Sequence, residues 1–380
     1  MTRWFRGLAL LLPAALMVFA AVPVEAREKP MVVAYLFPQD AKLEPGQVNA
    51  RALTRINYAF ANIENGRMVA GFKNDADNFA TLVALKKENP QLTVLISVGG
   101  WLWSGGFSDV ALTAESRAVF IDSVMDFLGR YHLDGLDIDW EYPGMAGAGH
   151  KFRAEDKRNF TLLLAELRRR FDEETKRTGR RLYLTIAAGA SPEFLANTEM
   201  DKVARLVDTV NLMAYDYYEP GSSPNTGHHA PLYANPADPQ KASADASVHV
   251  FEEAGVPANK ILLGLPFYGH VWGQVPETAH GLYQPGKPIP NTYAPYGAIA
   301  TTMLGHGYTR YWDPVSQVPY LYNPDTHIFV SYEDPESIAA KGRYVLAHKL
   351  GGIMFWSYES DSSGTLLGAV NAALGLNVSQ

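Results

Sequence analysis

The feature that most constrains this chain is an alternation: eight short apolar runs, separated by longer segments, many with helical periodicity. The runs cover residues 32–37, 56–63, 92–100, 135–142, 182–190, 209–217, 261–268 and 352–358. Most are almost continuous in aliphatic and aromatic residues, as strands buried on both faces are. Helical patterns over 76–89, 113–131, 155–178 and 336–349 lie between them. Eight strands, each followed by a helix candidate, predict an α/β chain closed into a (β/α)8 TIM barrel. An open doubly wound sheet would want a Gly-rich phosphate loop after an early strand, and the sequence has none. One connection is too long. Residues 270–335, between the seventh strand and its helix, give about 65 residues rich in Tyr, Pro and Gly, several times an ordinary βα loop. Short β-like pieces at 320–322 and 328–332 predict a small α+β insertion there, standing as a wall on the barrel's C-terminal rim. With neither a Gly/Ser linker nor an internal repeat, residues 27–380 read as one catalytic barrel carrying that insertion.

The fourth run reads Leu133-Asp134-Gly135-Leu136-Asp137-Ile138-Asp139-Trp140-Glu141-Tyr142-Pro143. Alternation along a strand puts Asp137, Asp139 and Glu141 on one face and Leu136, Ile138 and Trp140 on the other. The apolar set suits the layer under the helices. The carboxylates then point into the barrel and climb toward the rim in steps of roughly 6.5–7 Å. Like charges packed in a low-dielectric interior raise at least one pKa, so the group is expected to hold a proton near neutrality. Hard oxygen ligands also suit a divalent metal. No His pair lies on a neighbouring strand, however, the nearest being His228 and His229 in a loop. Neither a metal nor a cofactor is expected.

A formal net charge of −7 and the lack of any basic cluster argue against a nucleic-acid partner. Zero cysteines remove thiol nucleophiles and thiolate metal sites. At the N-terminus, Arg3 and Arg6 precede an apolar stretch interrupted by Pro13, followed by Val24-Glu25-Ala26. That is the pattern of a signal peptide over 1–26, cleaved after Ala26. The expected product is secreted or periplasmic, monomeric and without a membrane anchor.

The motifs, taken in order, resemble those of glycoside hydrolase family 18, the chitinases and their relatives. Asp134 to Glu141 resembles the DGxDxDxE signature, Ser97-Val98-Gly99-Gly100-Trp101 the SxGG motif, Met213-Ala214-Tyr215-Asp216 the MxYD motif, and Trp356 the closing tryptophan. The resemblance implies a chitinase of the subfamily with an α+β insertion, acting on chitin or chito-oligosaccharides with retention. Glu141 would be the general acid/base. Asp139 would support the substrate's acetamide, Asp137 would share a proton with Asp139, and Tyr215 would orient the acetamide oxygen. Tyr35, Phe60, Gly100, Trp101, Tyr142, Met213, Asp216, Tyr268 and Trp356 would bind substrate. Gly99 and Gly100 allow close backbone approach at a strand end.

Two positions depart from the family pattern. His270 stands where many relatives have Arg, and Asn211 where Gln is common. The first implies a sugar contact that is lost or pH-dependent. Two other readings stay open at this level: a family 18 hydrolase acting on another acetamido sugar, in peptidoglycan or an N-glycan core, and a non-catalytic chitin-binding lectin. The retained Glu141 argues against the lectin.

Overall fold

The computed structural model describes residues 1–2, 29–290 and 292–376. The expected signal peptide therefore lies, from residue 3 onward, outside the described residues. Eight strands form the centre: β1 (Met31–Leu36), β2 (Arg55–Glu64), β3 (Thr93–Gly99), β4 (Gly135–Asp139), β5 (Tyr183–Gly189), β6 (Thr209–Met213), β7 (Ile261–Pro266) and β8 (Gly352–Trp356). Consecutive strands pair in parallel, and β1 pairs with both β2 and β8, which closes the ring. This is the expected TIM barrel.

The outer layer follows from helical spacing. Helices α1 (Asp75–Ala84), α2 (Ala114–Tyr131), α3 (Asp156–Thr178), α4 (Met200–Leu206), α5 (Ala244–Glu253), α6 (Pro335–Ala347) and α7 (Thr365–Ala373) surround the strands. In α3, Phe160, Leu163, Leu164, Leu167 and Phe171 fall on one stripe, and all are buried. The Thr113 side chain caps α2 at its first turn, and Gly179 in the left-handed region ends α3.

One strand departs from the expected pattern. Between β1 and β2 the chain makes only a 3-10 turn at Ala50–Ala52, because Pro38 and Pro45 interrupt the segment. The C-terminal α7 packs at that turn, where the Asn371 side chain donates to the Ala52 carbonyl at 3.1 Å.

Strand ends also differ from the apolar runs. The fourth run stops as a strand at Asp139, so Glu141 sits just beyond it, and the sixth stops at Met213, leaving Tyr215 and Asp216 in the following loop. The seventh run divides in two: β7 ends at Pro266, and Tyr268–Gly273 starts a second, antiparallel sheet. That sheet continues through Thr309–Asp313, Val318–Asn323 and Ile328–Ser331. The inserted unit thus begins two residues earlier than 270. A second long connection, 214–243 after β6, packs on the insertion: Thr226 N–H donates to the Gln284 carbonyl, and His228 meets Asp313. Its polar composition gives no periodic signal. Its own turns and its contacts with the distant insertion order it together.

Candidate active site

The inner ends of β3, β4, β5 and β6 converge on Asp137, which is fully buried. Register puts Ser97 of β3 and Thr185 of β5 directly beside it. Its carboxylate accepts from Tyr35 Oη at 2.8 Å, Ser97 Oγ at 2.8 Å, Thr185 Oγ1 at 2.5 Å and Asn211 Nδ2 at 3.0 Å. Burial raises the Asp137 pKa; these donors and the buried Arg55 guanidinium act against it. The Asn211 departure has a clear structural role here, since its amide donates to both Asp137 and Tyr35 Oη. Tyr35 is likewise a support beneath the site, with its hydroxyl spent on Asp137.

Asp139, two residues on, has a different environment. Its Oδ1 is buried without a partner. Burial first, then the charges of Glu141 and Asp137, push its pKa well above the usual carboxylate range. Its backbone carbonyl is engaged: Gly100 N–H donates to it at 2.8 Å, and Ser104 Oγ lies 3.0 Å away. Glu141 N–H donates to the same Ser104 hydroxyl at 2.9 Å. Ser104 thus joins the loop after β3 to the catalytic segment. Sequence reading passed over it, because a serine in a Gly-rich loop carries no distinctive signal.

Glu141 has its pKa raised to about 7, by burial first and by Asp216 and Glu219, against a hydrogen bond from Tyr142. Tyr142 packs edge-on against Trp101 and Phe194. Trp140 points the other way and stacks on Phe107 in the helix-facing layer, as alternation requires. The Ala59–Phe60, Glu141–Tyr142 and Trp356–Ser357 peptide bonds are cis.

Gly99 and Gly100 have φ values of 108° and 76°. A Cβ on Gly99 would lie 2.2 Å from the Asp139 carbonyl, and one on Gly100 would lie 2.6 Å from the Phe60 ring. Close approach, expected from sequence, is therefore obligatory. Phe60 in turn stacks on Trp356 at 5.5 Å and 19°, with Tyr35 and Phe37 around the same indole. Phe37, Phe72 and Trp103 extend this aromatic wall. Phe72 and Trp103 lie in irregular loops that hid them from periodicity, whereas Phe37 ends the first apolar run. Trp101 is half exposed at the rim.

On the far side, Tyr215, Met213 and Trp356 pack with Tyr35 and Met354 inside the barrel mouth. Burial and the neighbouring carboxylates raise the Tyr215 pKa well above its usual value, so it stays a hydroxyl donor. Gly264 makes room for it: a Cβ there would lie 3.0 Å from the Tyr215 ring. Asp216 accepts from Tyr268 Oη at 2.7 and 2.8 Å, and lies 2.8 Å from His270 Nε2 and 3.4 Å from His229 Nδ1. Burial alone would raise its pKa, but His229 and His270 hold it well below the usual carboxylate range. The His270 departure thus exchanges an Arg position for an imidazole committed to Asp216.

The site brings together Asp137, Asp139, Glu141, Tyr215 and every expected aromatic. Comparisons with known proteins identify the family of the chain. The model for Glycosyl hydrolases family 18 matches residues 31–361. Chitinase A1 of Niallia circulans is 36% identical over 98% of this chain and 62% of its own length. Chitotriosidase-1 of Mus musculus is 34% identical over 83% of this chain and 69% of its own. Among solved structures, a family 18 N-acetylglucosaminidase from Paenibacillus barengoltzii superposes with a TM-score of 0.82 at 40% identity, covering 90% of this chain and 99% of that one. The chain thus spans under two thirds of the Niallia circulans relative.

Proposed function

The chain belongs to glycosyl hydrolases family 18, and from that premise we propose that it hydrolyses β-1,4-linked N-acetylglucosamine chains with retention, using the substrate's own acetamide as nucleophile. The observation that carries this reading is the state of the carboxylates. A two-carboxylate retaining site needs an ionised nucleophile beside a protonated acid. Here Glu141 holds a proton up to about pH 7, and Asp139 is buried and held well above the usual range. A carboxyl whose charged form burial and two neighbouring carboxylates disfavour is a poor nucleophile. The unpartnered Oδ1 of Asp139 is instead suited to accept the N–H of an acetamide.

The chemistry then runs in two steps. The acetamide carbonyl oxygen attacks the anomeric carbon while Glu141 gives its proton to the glycosidic oxygen, and the bond to the leaving sugar breaks. Tyr215 donates to the acetamide and fixes its orientation. The positive oxazolinium lies against Asp139, with Asp137 beneath to take up the change in charge. Glu141, now ionised, removes a proton from water, which opens the ring on the face the leaving group vacated.

A second reading is favoured by a specific likeness: the Paenibacillus barengoltzii N-acetylglucosaminidase matches this chain over 99% of its own length. Release of single N-acetylglucosamine units uses the same chemistry with a shorter groove. Digestion of a defined N-acetylglucosamine hexamer decides. Early dimers, trimers and tetramers support the chitinase reading; monomer together with pentamer from the first turnover supports the second; an intact hexamer contradicts both. Export after cleavage at Ala26, and a monomeric state, belong to the same proposal. They are tested by N-terminal sequencing of the protein made in its host and by sedimentation.

A further inference from the structure

With Asp216, an expected substrate contact, His229 and His270 form a cluster to which the proposed hydrolytic steps give no role of its own. Asp216, just after β6, and His229 both lie in the long connection 214–243, and His270 in the first strand of the insertion, so two segments converge. One donor atom from each residue lies within 4.8 Å of the other two. His270 Nε2 is 2.8 Å and His229 Nδ1 3.4 Å from the same Asp216 Oδ1, and the two imidazole centroids are 4.7 Å apart. Around a tetrahedral zinc-class ion, with bonds of about 2.0–2.1 Å, donors stand about 3.3–3.4 Å apart. Two of the three donor separations, 2.8 and 3.4 Å, lie near that spacing.

The chemistry of the donors narrows the ligand. Two imidazoles and one carboxylate suit zinc, copper or nickel, whereas magnesium and calcium prefer all-oxygen sets. Exposure grades across the cluster: the side chain of His229 is fully buried, His270 is 17% and Asp216 34% exposed. The His229 Nε2 is buried without a partner, so Nδ1 is the only atom of that ring with a polar contact. Water would complete the coordination on the exposed side of Asp216 and His270. Tyr268 Oη, which donates to both Asp216 oxygens, is the group a metal would displace. Glu219 lies within electrostatic reach of Asp216 and His270 and adds negative potential; Lys341 acts on His229 in the opposite sense.

We propose that Asp216, His229 and His270 bind one zinc-class divalent cation, and that the bound ion withdraws Asp216 from the sugar groove and inhibits the enzyme. The test uses tag-free, full-chain protein stripped of metal. Titration with cobalt(II) should develop visible d–d absorption saturating at one equivalent, and zinc should displace it while magnesium does not. His229→Asn and His270→Asn should each weaken zinc binding roughly 100-fold, at least the loss typical of a disturbed metal shell. Zinc inhibition of hexamer hydrolysis should weaken in parallel. Equal zinc affinity in wild type and the double variant, or no cobalt spectrum at millimolar metal, overturns the proposal. If the variants fail to fold, anomalous diffraction from zinc-soaked wild-type crystals decides: a peak between the three side chains supports the site, and none contradicts it. The cobalt and diffraction readouts do not depend on which sugar is cut.

Discussion

At the scale of single residues, Glu141 carries the heaviest demand. Replacing Glu141 with Gln keeps its shape and removes its transferable proton, so kcat should fall by about 10²–10⁴, the usual contribution of a positioned acid–base. Affinity for a chito-oligosaccharide, measured by calorimetry, should persist. Because the acid must be protonated, kcat/KM should decline as pH rises through about 7. Stability follows the same group. Its folded pKa lies above its unfolded one, so the folded state binds more protons between about pH 4.5 and 7 and loses stability across that window as pH rises. Glu141→Gln should therefore unfold at higher temperature than wild type at pH 8 and at the same temperature at pH 4. The three carboxylates were legible in the sequence because strand alternation leaves them no other face. Ser104, Thr185 and Asn211 were not singled out as partners, since their roles depend on register between neighbouring strands and loops, which a local pattern does not carry.

At the scale of elements, the end of β3 is the tightest point of the site. Its two glycines occupy φ values reserved for residues without a Cβ, and Gly99 lies directly against the Asp139 backbone. Gly99→Ala should cost about 1–3 kcal/mol or more in chemical denaturation, since strain and clash add. It should also lower kcat beyond what the stability loss explains, because the displaced carbonyl belongs to Asp139, which the proposed mechanism sets against the acetamide. The eight strands were readable from their near-continuous apolar runs, yet their ends were not. Apolar composition continues past Asp139, Met213 and Pro266 because residues at the barrel mouth stay buried after ladder pairing has stopped. That is where Glu141, Tyr215 and Asp216 sit, off the regular strand and free to aim at a substrate, while Tyr268 opens the strand of the next sheet.

At the scale of the whole molecule, the insertion and the 214–243 connection act as one rim. A fully buried ion pair ties them to the barrel: Lys341 of α6 contacts Glu333 and donates to the Ala230 carbonyl at 2.6 Å. Removing one partner strands a buried charge, so Lys341→Met should destabilise by about 3–5 kcal/mol. The double variant Glu333→Leu/Lys341→Met should recover most of that loss in the same denaturant titration. The rim also reaches the groove. Tyr293 of the insertion is 59% exposed and stacks on Tyr268 at 5.9 Å. Tyr293→Ala should reduce turnover of a hexamer more than that of a chromogenic dimer, since remote binding helps distort the reacting sugar. Equal losses on both substrates would detach the insertion from chain binding. The wall itself was foreseeable from the length of 270–335, but its partner connection was not, because contacts such as Thr226 with Gln284 join segments more than fifty residues apart.

Substrate assistance by the acetamide is the claim on which the roles of Asp139, Tyr215 and Glu141 all depend. Proton NMR of the first product released from an N-acetylglucosamine oligomer, recorded before mutarotation, tests it most directly. The β-anomer should dominate that spectrum, and a thiazoline analogue of N-acetylglucosamine should suppress its appearance. An α-anomer as first product, or turnover indifferent to the thiazoline, would contradict it.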